Sequence, residues 1–180
     1  AADINLAYSN YCNQTNDVFI KGVASEYLAE SYLEEWREQN NILTLPGNYI
    51  LIEFSMLFAP SERIMETLFQ LKLKGYKLIV AHPERYLYWK NNRKAFERLK
   101  IFNLYFQMNS LSLIGYYGPD VQKLCKQLIE LEMYDFIGTD THRMEQLAYT
   151  QKTPIQLNQK SIEIVETLVT ANKTFETIPI

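Results

Sequence analysis

The chain has little cysteine, little histidine and no excess of positive charge, and each shortage removes a class of function. Cys12 and Cys125 stand far apart and form neither a metal-binding nor a redox spacing, which excludes a disulfide scaffold and a paired-thiol centre. Both read as buried free thiols, the state of cysteines in a reducing, cytoplasmic setting. A formal net charge of −3 and a pI near 5.5 leave no basic face for nucleic acid. No run of about 18 apolar residues occurs, so no membrane span is expected. The opening AADINLAYSNYCNQ has neither the charged start nor the apolar centre of a signal peptide, and it does not begin with methionine. Repeats, low-complexity tracts and linkers are also missing, so residues 1–180 are expected to form a single domain.

What is present is a chain of 180 residues, 47% hydrophobic, long enough to bury one sizeable core. Its thirteen tyrosines and nine phenylalanines are scattered rather than massed in a stripe, and they read mainly as packing residues. Short apolar strands alternate with helical periodicity. Strands are expected at 17–24, 49–54, 78–81, 103–108 and 135–139. Helices are expected at about 3–14, 28–38, 61–74 with Ser61 as cap and Gly75 as stop, 87–99, from about 120 around Val121, Leu124, Cys125 and Leu128, and after Pro154 around Ile164, Val165, Leu168 and Val169. Strands each followed by a helix predict an α/β fold with a parallel sheet.

The chemistry gathers where those strands stop. In KLIVAHPERY (77–86) a buried strand ends at His82, which the following proline should hold extended. Glu26, Glu53, Asp140 and His142 are expected at three other strand exits, and the carboxyl ends of parallel strands form a common rim where ligands bind. Carboxylates with imidazole suit manganese, iron(II), zinc or magnesium. In extended geometry Asp140 and His142 face the same side and can reach one metal cluster. Arg85 and Arg143 lie just beyond, where a guanidinium fork can grip a phosphate. Gln107 and Asn109 are candidates for substrate contact or loop bracing. Metal-activated water attacking a clamped phosphoester is the reaction this set favours. Taken singly, each has a structural reading too: Glu26 as a helix cap, Glu53 as an acid paired to a helix, Arg85 as the partner of Glu84.

Taken together, ASEY (24–27), LIEFSM (51–56), AHPERY (81–86), QMNSLSLIGYYG (107–118) and GTDTH (138–142) resemble, in order, the capsule-type bacterial tyrosine-protein phosphatases. These belong to the polymerase-and-histidinol-phosphatase (PHP) superfamily. The resemblance implies a distorted (β/α) TIM-like barrel, present here as an incomplete barrel, with up to three metal ions, commonly manganese, at the carboxyl ends of the strands. It implies that Glu26 is a bridging carboxylate, that Glu53 and His82 complete one metal's shell, and that Asp140 and His142 are the ligands of the last catalytic strand. Arg85 matches a position near the phosphate, and Arg143 is a second candidate there. The implied substrate is phosphotyrosine on bacterial tyrosine kinases that govern export of capsular and exopolysaccharide; homo-oligomers are possible. The family's opening His-x-His strand, Asp-Asp-Gly loop and further histidine have no counterpart here, so the first strands of such a domain are expected to precede Ala1. Two other readings stay open: a small-molecule phosphoesterase of the histidinol-phosphatase kind, and an inactive remnant serving as a binding or oligomerisation module.

Overall fold

The computed structural model describes residues 2–14, 22–29 and 42–176. At its centre is a parallel sheet of β1 (Glu26–Leu28), β2 (Tyr49–Glu53), β3 (Lys77–Ala81), β4 (Tyr105–Asn109) and β5 (Phe136–Gly138), side by side in chain order. The described helices are α1 (Ala2–Gln14), α2 (Glu62–Leu73), α3 (Arg93–Ile101), the short α4 (Ser110–Leu113), α5 (Pro119–Glu130), α6 (Met144–Lys152) and α7 (Gln159–Ala171), with 3-10 turns at Pro83–Arg85, Leu87–Trp89 and Asn172–Phe175. Among these residues the sheet is open, with β1 and β5 at its edges, so the α/β class holds and a closed barrel is not formed. No described helix is long and apolar enough to cross a membrane.

Strand alternation sorts the side chains into two layers. Ile50, Ile52, Leu78, Val80, Phe106 and Met108 point to the main core with Leu68 and Leu71 of α2, Phe96 and Leu99 of α3, and Leu124 and Leu128 of α5. On the opposite face Tyr49, Ile79 and Phe136 pack with Leu51, Tyr105 and Phe175. β3, at the middle of the sheet, is buried on both faces, as its unbroken apolar run requires.

Local signals fix the boundaries. The Ser61 hydroxyl accepts from the Ile64 amide and starts α2 (3.3 Å), and Gly75, at φ +90°, turns the chain from its end into β3. Pro119 opens α5 after Gly118. The Asn172 side chain donates to the Ile137 carbonyl (2.7 Å) and accepts from the Ile137 amide (3.3 Å), taking the place of a neighbouring strand at the outer edge of β5.

Several expectations are corrected. Residues 22–25 are not strand, and β1 begins at Glu26; the rest of the expected strand and most of the expected helix at 28–38 lie outside the described residues. β1 is set by pairing to β2, with the Ala29 amide donating to the Glu53 carbonyl (2.7 Å) and the buried Tyr27 hydroxyl accepting from the Leu43 amide (2.7 Å). The expected helix at 87–99 is a 3-10 turn followed by α3, which begins only at Arg93. α6 was not anticipated because its main buried residue is the polar Gln146, which leaves little apolar periodicity to read. Cys125 is buried, but Cys12 is exposed on α1.

Candidate metal centre and anion site

Glu26, Glu53 and His82 come from β1, β2 and the end of β3, three adjacent strands, and their side chains converge. His82 Nε2 lies 3.4 Å from Glu26 Oε1 and 3.7 Å from Glu53 Oε1, and all three ligand atoms fall within 4.8 Å of one another. Among the described residues this is the group of histidine, cysteine and acid side chains with the spacing of a metal site. Two ligands at about 2.1 Å from a shared ion stand roughly 3.0 Å apart in octahedral and roughly 3.4 Å apart in tetrahedral coordination; the His82–Glu26 pair has that spacing, and the Glu53 carboxylate stands wider and would close by a few tenths of an ångström to join a divalent cation. Burial raises the pKa of Glu53; the Glu26 carboxylate pushes it the same way, while His82 and Arg85 pull it down. Two acids facing one another in a half-buried site call for a positive partner.

His82 does not follow the extended geometry expected before a proline. It is buried and left-handed, at φ 35° and ψ 55°. Its amide makes one last rung to the Gln107 carbonyl (2.8 Å), and its own carbonyl accepts from the Arg85 amide (2.9 Å), so one residue ends the strand and starts the Pro83–Arg85 turn. Strain at a non-glycine residue of this kind is characteristic of functional sites. The Nδ1 atom of His82 is buried and has no hydrogen-bond partner among the described residues. Glu26 also departs from expectation: it opens β1 rather than ending it and pairs in register with Leu51, two residues before Glu53.

Two side chains missed by sequence reasoning hold this turn. The fully buried Tyr86 hydroxyl donates to the Ala81 carbonyl (2.9 Å) and accepts from the Phe54 amide (2.9 Å), tying the residue before His82 to the residue after Glu53. Glu84, also fully buried, accepts from the Asn109 amide (3.0 Å) and the Tyr134 hydroxyl (2.9 Å), and burial raises its pKa. Glu84 is therefore not the partner of Arg85. The alternation of polar letters in HPERY hints at such inward-facing groups, but only the fold supplies their partners.

Arg85 instead pairs with Asp140, Nη1 to Oδ2 at 3.0 Å, and its guanidinium lies 4.5 Å over the ring of Tyr117. Asp140 is largely buried and is left-handed, at φ 49°, so the extended geometry expected for Asp140 and His142 is not found. His142 is 73% exposed, with Nδ1 3.0 Å from the Asp140 carbonyl and 3.3 Å from Asp140 Oδ1. Arg143 is not brought to the site: it starts α6, is 75% exposed, and lies 3.6 Å from Glu145. Asn109, a candidate for substrate contact or loop bracing, is 2% exposed and committed within the protein as a brace. It donates to Asp140 (3.0 Å) and Tyr117 (3.4 Å) and accepts from the Leu111 amide (2.8 Å). Gln107 stays partly exposed beside Gly138, where an added Cβ would meet its carboxamide oxygen at 2.8 Å. Cys125 is fully buried, and burial holds its thiol well above its ordinary pKa, which disqualifies it as a nucleophile.

The described residues form a parallel α/β sheet with two carboxylates and an imidazole grouped at its rim, and Arg85 is close enough to act on the charge of Glu53. The family model described as "Capsular polysaccharide synthesis, CpsB/CapC" matches residues 12–174, and the chain belongs to that family. It is 35% identical over 98 residues to tyrosine-protein phosphatase YwqE of Bacillus subtilis, covering 54% of this chain and 38% of that protein. It is 31% identical over 100 residues to the putative tyrosine-protein phosphatase CapC of Staphylococcus aureus, covering 53% of this chain and 37% of that protein. Tyrosine-protein phosphatase CpsB of Streptococcus pneumoniae is 29% identical over 136 residues, 72% of this chain and 55% of that protein. The chain thus spans about half or less of the length of these relatives. A solved structure from work on YwqE and CpsB, described there as unique metal-dependent tyrosine phosphatases, shares the fold. Its TM-score is 0.66 at 23% identity, covering 87% of this chain and 65% of its own.

Proposed function

We propose that the chain is the metal- and anion-binding part of a single-domain, metal-dependent phosphatase acting on protein phosphotyrosine. The observation that carries this is the convergence of Glu26, Glu53 and His82 from adjacent parallel strands, with the Arg85–Asp140 pair near enough to act on the charge of Glu53. Glu26, Glu53 and His82 would hold a divalent cation, with manganese the first choice, and Asp140 and His142 are candidates for further ligands. Such a cation supplies Lewis-acid charge for transfer of a phosphoryl group to water. Arg85 binds the phosphoryl oxygens through its planar fork and offsets the charge that develops on them. Gln107 lines the approach from β4, and Asn109 braces Asp140. The sheet, with strands in sequential order, corresponds to an arc of a PHP-type barrel in the complete domain. The family model's description supports capsular polysaccharide synthesis as the setting; a bacterial tyrosine kinase in the cytoplasm is the partner that this reading proposes.

The test is made on the full-length protein. Hydrolysis of a phosphotyrosyl peptide is compared with that of histidinol phosphate, alongside metal content by elemental analysis. His82→Ala and Glu53→Ala are expected to lose both bound metal and turnover, and Cys125→Ser to keep both. Turnover that survives His82→Ala but not Cys125→Ser would discard the assignment. Preference for histidinol phosphate would move it to the small-molecule class, and no turnover with manganese present would mark an inactive module.

A further inference from the structure

Arg85 has two kinds of partner, an anion and an aromatic ring. Asp140 is an anion at 3.0 Å, and a phosphoryl group competes with it for the same fork. The guanidinium carbon lies 4.5 Å over the Tyr117 ring, a contact that uses none of the fork's N–H groups and so does not compete with an anion for them. Tyr117 is itself anchored. Its hydroxyl accepts from Asn109 Nδ2 (3.4 Å) and from Gln146 Nε2 (3.4 Å), so one amide reaches it from the end of β4 and one from α6. The same Gln146, buried, accepts through Oε1 from the amides of His142 (2.7 Å) and Arg143 (3.0 Å) and so clamps the loop that follows Asp140. Asn109 donates in turn to Asp140 (3.0 Å). The ring packed on Arg85 and the carboxylate paired with it are therefore held by one connected group of amides.

We propose that Tyr117 is the positioning residue that holds the Arg85 guanidinium in one plane for an incoming phosphoryl group, with Gln146 and Asn109 fixing the ring; this rests on the reading of Arg85 given above. An arginine stem has many rotamers, and a face-on aromatic ring removes the ones that turn the fork away from the site. Phosphate affinity is then gained through preorganisation rather than through an added hydrogen bond.

The experiment uses the full-length protein with Tyr117→Leu and Tyr117→Phe. It measures calorimetric binding of inorganic phosphate, KM and kcat on a phosphotyrosyl peptide, and manganese content. The leucine variant is expected to bind phosphate about fivefold more weakly and to raise KM by a similar factor, the order expected for loss of a cation–π contact. Its manganese content should not change, and the phenylalanine variant, which keeps the ring face, should recover most of the loss. Leucine and wild-type proteins binding phosphate equally would overturn the proposal. So would a parallel loss of manganese, because that marks a packing role. A wild-type protein that hydrolyses the peptide yet shows no Tyr117 dependence sinks this inference alone, whereas a wild-type protein that binds no phosphate removes the Arg85 reading and this one with it.

Discussion

Replacing Tyr86 with phenylalanine removes a single oxygen from a side chain with no solvent exposure, and the consequence can be worked from two bonds. The hydroxyl donates to the Ala81 carbonyl and accepts from the Phe54 amide, each at 2.9 Å. The ring remains packed against Phe54 and Trp89, so the apolar contribution is kept. What is lost is one bond at each strand end, and the buried Phe54 amide is left without this acceptor. A buried donor stripped of its partner costs about 1–3 kcal/mol, and the carbonyl, with a second lone pair, costs less, so the change should destabilise the fold by about 2–3 kcal/mol. At roughly 2–4 °C per kcal/mol for a chain of this size, Tm falls by about 4–12 °C. Urea denaturation followed by circular dichroism gives the free energy, and calorimetry gives Tm. Because Phe54 follows Glu53 and Ala81 precedes His82, manganese binding measured by titration calorimetry should weaken as well. A stability change under about 0.5 kcal/mol, the level of an ordinary surface substitution, would refute the bracing role given to Tyr86.

Iodoacetamide applied to the native protein should label Cys12, which is exposed, and leave Cys125, whose buried thiol is held well above its ordinary pKa, until the chain is unfolded; peptide mass mapping decides. NMR titration should place the Asp120 carboxyl below the ordinary range, because Lys90 hydrogen-bonds to it and adds its charge, and Lys90→Met should return it upward. The sign follows from linkage: a carboxyl lowered in the folded state adds stability above its unfolded pKa, and that small surface contribution is lost as pH falls through the lowered value. Asn172→Ala should cost about 1–2 kcal/mol and speed hydrogen exchange at the Ile137 amide, since both backbone groups of Ile137 lose their partner. Unchanged exchange at that amide would show that the edge is held by other means.

The parts of the fold carried by short-range patterns were legible in the sequence. The run Leu78–Ala81 reads as a buried strand because both of its faces are apolar, and Ser61 with Gly75 marks α2 because capping and left-handed turns depend on neighbouring residues alone. The nearness of Glu53 and His82 follows from placing them at the ends of adjacent parallel strands, whereas Glu26 joins them from the first residue of β1, not from the strand exit expected for it. What stayed hidden depended on distant partners. The φ of His82 is set by a rung to Gln107 and a turn to Arg85, which outweigh the local preference imposed by Pro83. Arg85 reaches across 55 residues to Asp140 rather than to adjacent Glu84, because Glu84 is drawn inward by Tyr134 and the Asn109 amide. Gln146 and Tyr117 carry no chemical signature of their own; their importance lies in which backbone amides and which guanidinium the fold sets against them.

The amide of Asn172 occupies hydrogen-bonding positions on β5 that an adjoining strand would claim. Any strand seeking that side of the sheet at Ile137, from this chain or from another, must displace that side chain first. The Asn172 amide and a further strand therefore cannot hold the Ile137 backbone at the same time.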